Sequence, residues 1–505
     1  MTRTTTVTLT AGALLLLSSA VFADKAILIG GGYNINASQG QIELNVKWVQ
    51  SVLKNANLPV TTFFTDGDEP TADVHFLKPA NGDTGDDANN DANNESKATS
   101  LDQLAEQLQP VSRLFGDHIN NSIRYRNHSV EDVAGATRAP ELSQSLATAL
   151  SESNEPALII YNGHGKQSPA NVDQVTMELW DNTHLTAAQL HSVLDLSSSP
   201  TRFVFTQCYS GGFHRLAYKD PANGLALSDS MRCGFTAESA YRLAEGCSAS
   251  IDSDDYRDYT TFFFAALDGY DRHGEILPVD TDSNADGKVS MREAHFYTLE
   301  EAHSTDLSRS TSEDYLINWQ PWFLKWVSLS PAIADNEYAK LFRSLAAKHN
   351  ISLTENPTKQ IRDRISTFEQ TALDLAARRE DLQQELLKLQ GELADEALQK
   401  WPALAGPYTA AYQSLAASGE MINVATWVAE QPAYPAIENL QEEDNSLVDD
   451  YLANERNLTQ MHKLLHMRKL SVLKSQLYTY ADQDVIRDYE RLLSCEEAPL
   501  IFAEQ

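Results

Sequence analysis

Two short apolar runs, Ala157-Leu158-Ile159-Ile160 and Arg202-Phe203-Val204-Phe205-Thr206, each break off into a glycine-containing turn. The turns are Tyr161-Asn162-Gly163-His164-Gly165 and Gln207-Cys208-Tyr209-Ser210-Gly211-Gly212. A brief run bounded by turn residues reads as a buried strand, and strands covered on both faces belong to parallel sheets. His164 and Cys208 then stand at strand ends of one sheet, where open α/β sheets keep their chemistry. An imidazole within reach of a thiol, with a glycine beside each, supplies a nucleophile, a proton carrier and approachable backbone N–H groups. Cys208 follows His164 by 44 residues, room for one helix and its loops between adjacent parallel strands.

In this order and spacing the motifs resemble those of the caspase-like superfamily of cysteine peptidases, which includes caspases, metacaspases, legumains and gingipains. In that family His-Gly closes one strand and a Cys, often followed by x-Ser-Gly, closes the next. Tyr161 to Gly165 and Cys208 to Gly211 carry the match, Ala26 to Gly32 resembles the first strand, and Thr62 to Gly67 the second. The resemblance spans residues 25 to 330 and implies an α/β fold, a mostly parallel sheet flanked by helices. It also implies that Cys208 attacks the scissile carbonyl as a thiolate and that His164 protonates the leaving amine. The amides of Gly165 and Cys208 would hold the oxyanion, with no strict third catalytic member. Relatives that cut after a charged residue carry Gln, Asp or Glu two places before the nucleophile; Thr206 stands there, so the charge of the preferred residue stays open. Gln207 reads either as a substrate contact or as an inward-facing strand residue.

A second motif, Asp282-Ser283-Asn284-Ala285-Asp286-Gly287-Lys288-Val289-Ser290-Met291-Arg292-Glu293, fits the calcium loop of an EF-hand at every position. Asp282, Asn284 and Asp286 would bring three side-chain oxygens together, and Gly287 permits the turn. Lys288 offers its carbonyl, Ser290 ligates through water, and Glu293 closes with two oxygens. Met291 to Glu301 reads as the leaving helix, while Gly274 to Val279 on the entering side does not read as helical. One calcium ion in an embedded loop is the expectation.

Met1 to Ala23 has the basic start, apolar centre and small-residue end of a signal peptide, cleaved before Asp24. No later stretch is apolar enough to span a membrane. The product is expected to be exported, periplasmic or secreted. The net charge of −32 argues against a nucleic-acid partner, since phosphate contacts need clustered Lys and Arg. Of the four cysteines, Cys233 and Cys247 flank one short loop and are expected to pair, Cys208 stays free for catalysis, and Cys495 is left as an odd thiol.

Asn81 to Ser100, rich in Asp, Asn and Gly, cannot offset its ordering entropy by burial and reads as a disordered acidic insertion. Beyond Ile361 the positions Ile365, Phe368, Ala372, Leu375, Leu382, Leu386, Leu389 and Leu393 alternate by four and three, the mark of a heptad seam. Breakers at Pro402, Gly406, Pro407, Pro432 and Pro435 precede a second long helix from Leu440 to Leu493. The two would fold back as an antiparallel hairpin or pair between chains in a parallel dimer. The predicted order is a leader (1–23), a peptidase domain (24–330, with the Trp319-Gln320-Pro321-Trp322 segment at its edge) and an all-α coiled-coil or helical-hairpin domain (331–505).

The functional expectation is a cysteine endopeptidase acting on peptide or protein substrates through His164 and Cys208. Two alternatives stand: an inactive calcium-binding scaffold that recruits a partner or a second copy through the coiled coil, and a transpeptidase using the same dyad.

Overall fold

The apolar runs form the centre of a nine-stranded, mostly parallel sheet in a computed structural model. It describes residues 25–77, 104, 106–116, 123–151, 155–168, 171–222, 224–325, 335–406 and 409–499. The expected leader (1–23) and the 81–100 segment lie outside these residues.

The strands are β1 (Lys25–Gly31), β2 (Val60–Phe64), β3 (Val74–Leu77), β4 (Ile123–Arg126), β5 (Val133–Gly135), β6 (Ala157–Ser168), β7 (Asn171–Leu179), β8 (Thr183–Thr186), β9 (Thr201–Phe205), β10 (Arg232–Thr236) and β11 (Arg309–Ser310). Their order is β11-β10-β9-β6-β1-β2-β5; β7 pairs with β6 and β8 with β7, while β3 and β4 form a separate ladder. Leu28 lies opposite Ile160, and Ile160 opposite Val204, in parallel register. All three are buried, which explains why the runs do not alternate.

Helices cover both faces because neighbouring strand residues point opposite ways. Leu28, Ile160 and Val204 meet α1 (Gly40–Asn55), which precedes a helix α2 over residues 106–115. Ile29, Ile159 and Phe203 meet α3 (Ala139–Ser151) and α4 (Ala187–Leu194). The first face also receives α5 (Tyr259–Asp268) and α6 (Met291–Glu301). Full burial of such a side chain contributes about 1.5–3 kcal/mol, so the central strands carry much of the hydrophobic stabilisation of this part of the chain.

The remaining helices are α7 (Thr311–Trp319), α8 (Glu337–Lys348), α9 (Pro357–Lys400), α10 (Ala410–Ala417), α11 (Glu420–Ala429), α12 (Tyr434–Tyr480) and α13 (Gln483–Glu497). The long α9 and α12 run antiparallel within the chain: Asn454 Nδ2 donates to Phe368 O (2.9 Å), while further along α9 Arg379 pairs with Asp444, an earlier residue of α12 (2.9 Å). At the tip, Leu393, Ala397, Val424, Val428 and Ile437 close a small core joined by Val111 of α2. Gln390 Nε2 donates to Arg113 O (2.7 Å), so the residues after the acidic insertion are docked on the hairpin.

At its base the hairpin has no core of its own. Leu464, Met467 and Leu470 of α12 and Tyr489 of α13 pack with Tyr315, Phe342, Cys233 and the partly buried Trp319. The helical region beyond residue 331 therefore shares its core with the sheet-bearing part. Among the described residues no helix is long and apolar enough to cross a membrane.

The expected bridge between Cys233 and Cys247 is corrected. Cys233 pairs with Cys495 of α13, Cα to Cα 6.2 Å, and Cys247 is a free thiol. Cys233 is the second residue of β10, while Cys247 lies beyond the strand's far end. At about 3.3 Å per residue, the three strand residues after Cys233 carry the chain about 10 Å away, more than the roughly 7 Å a disulfide spans.

Candidate active site

β6 leaves the sheet at its C-terminal end to pair with β7, and His164 sits at that departure, opposite Glu178. Three residues beyond the end of β9, Cys208 is followed by Tyr209 in the left-handed region (φ 60°), a sharp turn that lifts the cysteine to the sheet edge. Thr206 N donates to Tyr161 O (3.1 Å), so the two turns start from one ladder. His164, Gly165 and Cys208 line a single cleft of about 870 Å³, with Tyr33, Glu178 and Leu243 among its walls.

Gly165 shows why this turn needs glycine. A Cβ there would collide with the Cys208 carbonyl oxygen and lie 2.6 Å from Gln207 Cγ. The backbone after the histidine is thus laid directly against the backbone of the cysteine.

The imidazole is held from the far side. His164 Nε2 faces two acceptors, Ala37 O (2.8 Å) and Gln39 Oε1 (2.9 Å), both in the segment that follows β1. Two acceptors on one nitrogen place the proton there and leave the lone pair on Nδ1, which opens on the cleft. Tyr33 meets the ring edge-on, 5.6 Å between centroids. Burial holds the imidazole below its ordinary value and pushes the Cys208 thiol above its own. Both shifts favour a neutral thiol and a neutral imidazole in the cleft.

The loop after β10 packs over Cys208. Cys208 Sγ accepts from Ala244 N (3.4 Å), and Tyr209 N donates to Arg242 O (2.9 Å). Cys247, on the same loop, is exposed and brings its Sγ to 3.8 Å from His164 Nδ1. The loop is tied to α12: Arg456 Nε donates to Glu245 Oε1 (3.2 Å) and Arg242 Nη2 to Thr459 Oγ1 (3.2 Å).

Thr206 does not line the cleft. Its hydroxyl donates to Tyr161 O and accepts from Asn162 Nδ2 (2.9 Å) in the interior, so it is spent on joining β6 to β9. Gln207 is buried with both amide atoms unpartnered, the inward-facing reading. Ala37, Gln39, Ala244 and Arg456 carry no signal in the sequence that would single them out. Cys247 carries one, its thiol, which the sequence reading places in a bridge with Cys233 and not beside His164.

Asp282 to Glu293 forms a loop closed on itself. Asp282 Oδ2 accepts from Gly287 N (2.8 Å), Asn284 Oδ1 from Asp286 N (2.8 Å), and Asp286 Oδ1 from Lys288 N (3.0 Å). Gly287 takes φ 85°. Glu293 reaches back, accepting from Asn284 N (3.1 Å), while Ser290 caps α6 in a reciprocal box with it. Next along α6, buried Arg292 pairs with Glu496 of α13 (2.8 Å) and Glu337 of α8 (3.0 Å). The loop thus abuts the junction with the helical region, not the cleft.

The chain matches no protein-family model and no curated protein sequence.

Proposed function

We propose that the chain is a cysteine endopeptidase with a caspase-like catalytic domain. The observation that carries this reading is His164, tautomer fixed by Ala37 and Gln39, sharing a cleft with Cys208 at the ends of adjacent parallel strands. The mostly parallel α/β sheet is compatible with that family.

In this reading His164 Nδ1 accepts the Cys208 proton as Sγ bonds to the scissile carbonyl carbon. The oxyanion is met by the Gly165 and Cys208 amides, and collapse expels the amine, which takes the proton back from Nδ1. Water, deprotonated by the same nitrogen, then releases the acid from the thioester. Transfer to an amine in place of water would make the chain a transpeptidase, and product analysis separates the two.

Calcium belongs to the same proposal. Asp282, Asn284, Asp286, Glu293 and the Lys288 carbonyl supply the oxygens a calcium ion takes, and the backbone already adopts the required turn. Bound calcium would brace α6 and, through Arg292, the helical region. Export is proposed as well, and a Cys233–Cys495 bridge accords with an oxidising compartment.

The test is cleavage of a peptide library varied before the scissile bond, using wild type and Cys208→Ala, each with calcium and with chelator. Cleavage by wild type and none by Cys208→Ala supports the reading; no cleavage by folded wild type favours the scaffold. One distance carries a second reading: Cys247 Sγ is 3.8 Å from His164 Nδ1, as a nucleophile would be. Mass spectrometry of the enzyme labelled by a peptidyl electrophile identifies which sulfur reacts.

A further inference from the structure

Two strands from the catalytic one, β2 ends in a turn that gathers buried charge. Thr65 (φ 37°) and Gly67 (φ 86°) bend the chain so that Asp66, 3% exposed, comes beside Asp73, fully buried, and His128. One ligand atom from each of the three lies within 4.8 Å of the others. Asp66 Oδ2 accepts from Thr71 Oγ1 (2.7 Å), but Asp66 Oδ1 is buried without any hydrogen bond. Asp73 accepts from His128 N (2.7 Å) and from the Thr65 hydroxyl.

Among the described residues neither carboxylate forms an ion pair with Lys or Arg; Arg138, whose charge favours the Asp66 carboxylate without touching it, is bonded to Asp181 and Glu69. Burial raises both acids, Asp73 to about 6. Two carboxylates out of water at this spacing need a proton or a metal between them.

The histidine favours the metal. His128 Nε2 donates to Gly67 O (2.9 Å), which fixes the ring tautomer through a backbone carbonyl and leaves the Nδ1 lone pair as donor. The long contact from Val130 N (3.2 Å) is the one it would give up.

We propose that Asp66, Asp73 and His128 form a binding site for one small divalent transition-metal ion, of the Zn2+ or Mn2+ type, separate from the 282–293 loop. An imidazole with two carboxylates suits such ions, whereas calcium takes oxygen ligands alone. The site would pin the end of β2 next to β3, whose His75 holds the Ile35–Ser38 segment through Ile35 O (2.7 Å) and Ser38 O (2.9 Å). That segment carries Ala37, one of the two acceptors on His164.

The experiment titrates full-length protein with Zn2+ after its free thiols are alkylated and the 282–293 loop is saturated with calcium, so that neither competes. Calorimetry should give one site, and Zn2+ should raise Tm. Asp66→Asn and His128→Gln should each weaken binding at least tenfold and abolish the Tm rise. Asp66→Asn, by removing one of two apposed charges, should fold and raise Tm in chelator. Stoichiometric binding that survives both substitutions, or no Zn2+-dependent change in wild type, overturns the proposal. Neither outcome depends on peptidase activity, so this site and the proposed function stand or fall separately.

Discussion

The four cysteines divide between opposite ends of the same pair of parallel strands. At the C-terminal end of β9 and beyond β10, Cys208 and Cys247 are free thiols, Cys208 lining the cleft and Cys247 beside His164. At the N-terminal end of β10, Cys233 is fully buried and bridged to Cys495. The same atom does different work at the two edges because every strand of a parallel sheet points the same way. One edge gathers loops and carries the cleft; the other is sealed by packing.

The sharpest test of this division is Cys208→Ala, expected to lower kcat/KM by about 10³-fold or more with Tm nearly unchanged. Cys247→Ser should retain most activity, and the reverse pattern would move the nucleophile to the loop. At the sealed edge, Cys495→Ser should leave kcat intact at 25 °C but cost about 2–5 kcal/mol in urea denaturation. A loss of activity in the folded state would show that the two edges communicate.

Smaller effects refine the open edge. Gly165→Ala must push the Cys208 backbone aside, so kcat/KM should fall about 10²-fold. The pH profile of kcat/KM should be a wide bell. Its acid limb lies below pH 6.5, where His164 gains the proton that burial resists, and its alkaline limb lies above pH 9, where Cys208 finally ionises. A narrow bell centred near pH 6 would mean a preformed thiolate–imidazolium pair. Least of all, Arg456→Ala should loosen the loop from α12 and lower kcat/KM by about three- to tenfold.

What the sequence made legible follows from range. β6 and β9 were readable because strands buried on both faces are written as unbroken apolar runs, and their ends brought His164 and Cys208 together. The heptad positions on α9 announced a long helix, and its antiparallel partner proved to be α12 of the same chain. Gln39 and Ala37 were illegible because their contact with His164 crosses more than 120 residues and uses a carbonyl that any residue supplies. The Cys233 pairing failed for a related reason: short separation in sequence counted for less than the length of the strand lying between. Across residue 331 the core is continuous, with Leu464, Met467 and Leu470 of α12 packed against Tyr315 and Cys233, contacts that lie more than 140 residues apart in sequence.

The Cys233–Cys495 bridge also makes the chain between those residues a closed covalent ring. A single cut anywhere along it, in the 282–293 loop, at the hairpin tip or in either long helix, opens the ring without freeing a fragment. The helical arm is therefore not a pro-segment that one proteolytic nick could shed. A nicked molecule would migrate as one band until reduced, and its arm would remain seated on the sheet.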